Sequence, residues 1–325
     1  MDSGEILRAN LLSAMVLSFV LGNVATWLRS DIEFPEAIYK FLGIYLLMAI
    51  GLSGGVELGN TSFGEFWRPA LATAALAIAV PLGCYGVLRS VGRFDVANAA
   101  GVAALYGSVS SVTFIASTNL MQGLGVPYEG FIPSLAVLME WGLVVALFVG
   151  RWQLGAGTSL AGVVRDVLTG RSVVLLLGFL LIGLTIGDTG YAAIKPVFGD
   201  LFRGVLVIFL FEMGMVAGRQ VREFARVGVF MVGFGIAMPL LQGVVGVTLG
   251  SIAGLSLGGS FILGAITASA SYIDAPAAVR TTFPQANPGI YLTASLGVTF
   301  PFNLTIGLPL YFEYAKWLHR MGGFS

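Results

Sequence analysis

Charge is scarce in this sequence: of 325 residues only 10% are Asp, Glu, Lys or Arg, against 57% hydrophobic residues. A soluble fold of that composition would have too little polar material to cover its surface, so the chain reads as a membrane protein. Its 17 basic and 17 acidic residues cancel, and no long run carries one sign, which argues against a nucleic-acid footprint. The lone Cys84 cannot form an intrachain disulfide; it sits in an apolar stretch and reads as a core residue. The lone His319, near the end of the last apolar segment, leaves no Ser, His and Asp hydrolytic set and reads as an interfacial anchor. An intramembrane hydrolase built on an acid pair lacks support too, because Glu140 and Asp274 have no recognisable companion motifs.

What is abundant is apolar sequence in lengths of about 20 residues, enough at 1.5 Å per residue to cross a hydrocarbon core about 30 Å thick. Ten such segments start near Ala9, Pro35, Phe66, Asp95, Tyr128, Ser172, Asp200, Arg226, Leu257 and Gly289. The N-terminal stretch has an acidic start and no clear small-residue cleavage site, so it reads as the first span rather than a signal peptide. A hydrophilic connector, RWQLGAGTSLAGVVRDVLTGR (151–171), separates segments five and six.

The halves on either side, 1–150 and 172–325, echo each other. YKFLGIYLLMAIGLSGG (39–55) aligns with FRGVLVIFLFEMGMVAG (202–218), pairing Lys40 with Arg203, Gly51 with Gly214 and Gly55 with Gly218. GSVSSVT (107–113) aligns with ASASYID (268–274), pairing Ser108 with Ser269 and Ser110 with Ser271. Five spans is an odd number, so the second copy enters from the opposite face and the repeat is inverted. With the N-terminus outside, Arg29, Lys40, Arg89, Arg93, Arg151, Arg165, Arg171, Arg219, Arg222, Arg226 and Arg280 fall on the cytoplasmic side. Arg8, Arg68, Lys195, Arg203, Lys316 and Arg320 remain outside, a bias that favours both termini out and the connector in the cytoplasm.

Segments four and nine carry hydroxyl clusters midway along: Ser108, Ser110, Ser111 and Thr113 in one, Thr267, Ser269 and Ser271 with Asp274 in the other. A lone membrane hydroxyl commonly satisfies a carbonyl one turn back or joins two helices. Two clusters at matching places in inverted halves instead mark interrupted helices, whose free N–H groups suit an anion and whose carbonyls and hydroxyls suit a cation. The anion set expected is Ser108, Ser110, Ser111, Ser269 and Ser271; the sodium candidates are Thr113, Glu140, Asp274 and Asn303. Acids inside a membrane are expensive, so Glu140 and Asp274 read as cation ligands or proton carriers. Asp274 also precedes Pro276 as a helix N-cap would. Glu212, on a different pair of spans, reads equally as a structural hydrogen bond at a domain or subunit contact.

At these residues the sequence resembles the sodium-dependent bicarbonate transporter family of cyanobacteria and other bacteria. The resemblance is carried by FPEAIYKFLGIYLLMAIGLSGGVEL (34–58), LYGSVSSVT with PYEGF downstream (105–131), LFRGVLVIFLFEMGMVAG (201–218) and FPQANPGIYLTAS (283–295). It implies ten spans in two inverted five-span repeats, with a gate domain of spans 1, 2, 6 and 7 and a core domain of the other six. Crossing broken spans four and nine would bind bicarbonate and sodium at Ser108, Ser110, Thr113, Ser269 and Ser271. It further implies a homotrimer in a bacterial cytoplasmic membrane and no organic cofactor. Where relatives have an acid two residues earlier this chain has Tyr272, with the acid at Asp274, about 200° away on a helix. Glu140 replaces the family's Asp and Glu212 an apolar residue, and the connector is short, so a PII-like regulator is not implied. The resemblance points to sodium-coupled bicarbonate uptake. Another small anion, an organic carboxylate, or exchange of sodium for protons is the alternative on the same architecture.

Overall fold

The computed structural model describes residues 12–155, 165, 169–220, 224–272 and 275–322. Asp274 and most of the connector lie outside the described residues. Every regular element among those residues is helical: α1 (Ala14–Trp27), α2 (Glu36–Gly59), α3 (Phe63–Ser90), α4 (Val96–Gly107), α5 (Ser111–Leu124), α6 (Ile132–Met139), α7 (Trp141–Gln153) and α8 (Arg171–Lys195). A π turn, Pro196–Asp200, joins α8 to α9 (Phe202–Gln220), followed by α10 (Phe224–Ile252), α11 (Leu257–Thr267) and α12 (Ala275–Thr282). The final run begins as α13 (Pro288–Leu292), loosens into π turns at Thr293–Thr299 and Asn303–Gly307, and ends as α14 (Leu308–Gly322).

Among the described residues seven helical stretches are long and apolar enough to cross a membrane, so the chain is a multi-pass membrane protein, helical wherever it is described. Each of the ten apolar segments falls on helix, but the count of long runs differs for physical reasons. The segments expected near Ser172 and Asp200 lie in one apolar stretch, Val173–Arg219, which is not a straight helix: it kinks at Gly187 (φ 57°, ψ −167°) and passes through the π turn and a bend at Leu201 into α9. The first segment's described helix, α1, is 14 residues long, and the ninth is interrupted after Thr267, leaving α11 only 11 residues long.

Two helix pairs pack with almost no side-chain spacing. In the first, α1 lies on α9, where a Cβ on Gly22 would overlap the Phe211 carbonyl and one on Gly214 the Phe19 carbonyl. In the second, α2 lies on α8, where Gly55 abuts the Leu180 carbonyl and Gly183 the Leu52 carbonyl. Lipid offers little hydrophobic drive for association, so small residues that let backbones touch supply the van der Waals contact instead. Ser18 Oγ donates to the Val207 carbonyl and Thr26 Oγ1 to the Met215 carbonyl, tying α1 to α9 further.

The remaining helices surround α4, α5 and α11, whose residues are buried almost throughout. Helix α3 crosses α10 near Cys84, whose Sγ accepts from Gln242 Nε2 at 2.9 Å. Cys84 is therefore a core residue, as its apolar setting predicts. His319 departs from the expected interfacial anchor: its Nε2 is hydrogen-bonded to Ser251 Oγ (3.1 Å) and Ser260 Oγ (3.3 Å), joining α14 to α10 and α11.

Candidate functional site

Two helix interruptions meet inside the protein. The first lies between α4 and α5, where Ser108 (φ −109°, ψ 154°) and Ser110 (φ −79°, ψ 108°) are extended. Ser110 can stand there because its hydroxyl accepts from Thr113 N–H at 3.3 Å and caps α5. The second interruption follows α11, whose last carbonyls include Ile266 and Ala268.

The two extended stretches are joined to each other. Ser110 N–H donates to Ser269 Oγ (2.9 Å), which donates in turn to the Ile266 carbonyl (2.7 Å). In the opposite direction, Ser271 N–H donates to the Leu105 carbonyl (2.8 Å). Each break thus satisfies a backbone group orphaned by the other, which an isolated broken helix in lipid could not do. Ser108, Ser110, Ser269 and Ser271 are at most 3% exposed.

A supporting polar side chain stands beside each break. Helices α6 and α7 meet at Glu140, and just beyond it Gly142 lies against Gly107 backbone to backbone; a Cβ on either would overlap the other's carbonyl. That contact brings Glu140 to the first break, where the Ser108 hydroxyl donates to Glu140 Oε2. At the second break, Asn303 Nδ2 donates to the Ala268 carbonyl (2.8 Å) while its Oδ1 accepts from the Tyr311 hydroxyl (2.9 Å). Asn303 sits in a π turn, a local overwidening of the helix that turns a side chain toward a site, and is wholly buried. Thr299 in the other π turn bonds Tyr106 of α4 (2.6 Å) and the Gly235 carbonyl of α10 (2.7 Å).

The arrangement offers both charges a place. Helix α5 begins at the break with its N-terminal partial positive charge, while α4 and α11 end there with carbonyls, next to four serine hydroxyls and a carboxyl group. Of the residues singled out from sequence, Ser108, Ser110, Ser269, Ser271, Glu140 and Asn303 come together, with the Thr113 amide held by Ser110. Ser111 is half-buried and turns to a small cavity of about 20 Å³ with Lys40 and Arg171. Glu212 lies on α9, apart from the breaks, with Oε2 buried and, among the described residues, without a hydrogen-bond partner, so the structural hydrogen bond considered for it is not seen at that atom.

Sequence reasoning missed the approach to this site. A cavity of about 310 Å³ separates α2, α8 and the start of α9 from α5 and the loop before α6. Phe114, Thr118 and Gln122 line it at four-residue spacing along α5, so it descends one helix face to within a turn of Ser110. Glu57, Tyr128, Tyr191 and Arg203 also line it. The space beside Lys40, Arg171 and Ser111 is far smaller, about 20 Å³.

Glu129 was missed as well. Its carboxylate accepts from Ser256 N–H (2.6 Å) and Ser256 Oγ (3.2 Å) at the start of α11, fixing the helix that leads into the second break.

A comparison with curated proteins finds no match. The sequence profile of the Na+-dependent bicarbonate transporter superfamily, however, matches residues 14–316. That span contains both interruptions, their supporting residues and the cavity that leads to them. The chain belongs to the Na+-dependent bicarbonate transporter superfamily, a family of membrane transporters.

Proposed function

We propose that this chain imports bicarbonate together with sodium by alternating access, with the crossing breaks as the shared site. The observation that carries the reading is the reciprocal bonding of the breaks, Ser110 to Ser269 and Ser271 to Leu105, among buried serines flanked by Glu140 and Asn303. The anion is held by Ser108, Ser110, Ser269 and Ser271 with the α5 N-terminus, while Ser111, expected in the same set, faces the small cavity with Lys40 and Arg171. Sodium is held by oxygen atoms of Thr113, Glu140 and Asn303, with Asp274 a further candidate. Carboxylate, amide and hydroxyl oxygens suit a hard cation.

The architecture in this reading is two inverted five-span repeats. Supporting it, Glu140 and Asn303 are 163 positions apart, the same separation as Gly51 from Gly214 and Gly55 from Gly218. Those glycines form the close contacts of α2 with α8 and of α9 with α1, as expected when one repeat is laid over the other. Helices α1, α2, α8 and α9 form the gate and the others the core, which moves against it. Phe300 of the core meets Phe19 of the gate edge to face at 5.2 Å between centroids, and Tyr272 of the core packs on the same Phe300 ring at 5.2 Å. With both termini outside a bacterial cytoplasmic membrane, the cavity lined by Glu57 and Arg203 faces outward. The apolar stripe Val174, Leu177, Leu181 and Leu184 on gate helix α8 is exposed, consistent with gate-to-gate contact in a homotrimer or with lipid.

Uptake of labelled bicarbonate into proteoliposomes, with and without a sodium gradient, tests the proposal; sodium-independent or absent uptake would overturn it. Glu140 at a break and the buried, unpaired Oε2 of Glu212 favour a second reading, in which protons move as part of the cycle. A pH-sensitive dye inside the same vesicles reports that flux directly.

A further inference from the structure

The large cavity leading to the breaks carries a charge pattern that the transport reading above does not use. Arg203 is the sole cation among its lining residues, and among the described residues its hydrogen bond runs to Gln122 Oε1 at 3.2 Å. No ion pair within 4 Å engages it there, although Glu57 lines the same cavity. Gln122 Nε2 donates to the Tyr128 hydroxyl at 3.0 Å, so Gln122 spends both its amide atoms on holding Arg203 and Tyr128 in place. Tyr128 accepts that bond and keeps its own proton to give; the Tyr191 hydroxyl, on the opposite wall, is a second O–H donor.

A planar guanidinium with two phenol donors is a set of hydrogen-bond donors facing one space, and a guanidinium fork matches the two oxygens of an O–C–O edge. Deeper in, the lining turns to Phe114 and Thr118, and the Thr118 hydroxyl is already committed to the Ile115 carbonyl at 2.9 Å. Donors for an anion are therefore concentrated at the Arg203 level, with the next ones a helix length below at the break around Ser110. Glu57 lines the same space and adds a cation-attracting group to it.

We propose that Arg203, Tyr128 and Tyr191 form an outer waiting site for a planar oxyanion, bicarbonate or a small carboxylate, occupied before the anion reaches the breaks. The proposal rests on the reading that the breaks are the transport site, but its binding arm does not require transport to work. Gln122 acts as a positioning residue.

Two measurements test it. In proteoliposomes, Arg203→Ala raises the half-saturation concentration for bicarbonate about ten-fold, within the range attributed to electrostatic focusing, while the maximal rate falls less than two-fold. Arg203→Lys, which keeps the charge but loses the fork, recovers part of that affinity. An unchanged half-saturation concentration in Arg203→Ala overturns the proposal. In purified protein carrying Ser110→Ala and Ser271→Ala, formate and bicarbonate still raise the melting temperature, and adding Arg203→Ala removes that effect. Equal protection by formate with and without Arg203 overturns the vestibule site, and equal protection by chloride at the same ionic strength overturns the planar-oxyanion assignment. If the parent protein takes up no bicarbonate, the transport reading fails, while the formate measurement still decides this one.

Discussion

Replacing Asn303 with leucine removes a side chain that bonds in two directions while keeping the number and branching of its heavy atoms. Asn303 is wholly buried, and the substitution leaves the Ala268 carbonyl and the Tyr311 hydroxyl, both buried, without their bonds of 2.8 and 2.9 Å. In a water-soluble core, two orphaned groups would cost about 2–6 kcal/mol. Hydrogen bonds between membrane helices average nearer 0.6 kcal/mol, with a maximum of about 1.7, because helices separated in lipid find other partners. The second figure governs here, and two bonds give about 1–3 kcal/mol. The expected result is a melting temperature lowered by about 2–8 °C in detergent or nanodiscs. Tyr311→Phe removes one of the bonds and has roughly half the effect. A double-mutant cycle then separates local support from general loosening: Asn303→Leu and Tyr311→Phe together fall short of additivity, because the second substitution removes a bond already lost. Unchanged melting of Asn303→Leu, or strict additivity, would refute the view that Asn303 holds the second break.

Ser110→Ala and Ser271→Ala should each weaken bicarbonate or sodium affinity in folded protein, with Ser110→Ala also losing a helix cap at about 0.5–2 kcal/mol; normal transport kinetics in both would count against a joint site. Gly55→Leu drives a side chain into the Leu180 carbonyl and should abolish a monodisperse peak in size-exclusion chromatography, whereas Gly178→Leu, which has open space, should not. At the head of α4, burial raises the pKa of Asp95, but hydrogen bonds from Asn98 outweigh it and leave the carboxyl below its ordinary value of 3.8. A lowered folded-state pKa means the cap stabilises above that value and is lost as the pH falls below it, so Asp95→Asn should flatten the acid limb of thermal stability.

The site was legible in sequence where polarity interrupts an apolar run. Serines 110, 269 and 271 fall at the breaks because hydroxyls there satisfy backbone groups that a helix end leaves open, while the Ser108 hydroxyl goes to Glu140. Glu140 and Asn303 were legible for the same reason, since a buried acid or amide at membrane depth demands a partner, although which break each supports required the Gly107–Gly142 contact and the π turn. The cavity was not legible. Its lining comes from Glu57, Gln122, Tyr128, Tyr191 and Arg203, each ordinary for a helix end or loop, and only the packing of α2, α8 and α9 against α5 brings them together. His319 shows the same limit in reverse: its position near a chain end suggests an anchor, whereas tertiary packing gives it Ser251 and Ser260 as partners.

The central claim is that the crossing breaks bind anion and sodium as one site, and linkage tests it most directly. Bicarbonate affinity of the purified protein, measured across sodium concentrations, should rise by about 5- to 150-fold between sodium-free and saturating conditions, and sodium affinity should rise with bicarbonate by the same factor. A bicarbonate affinity that stays constant across the sodium range would contradict the account.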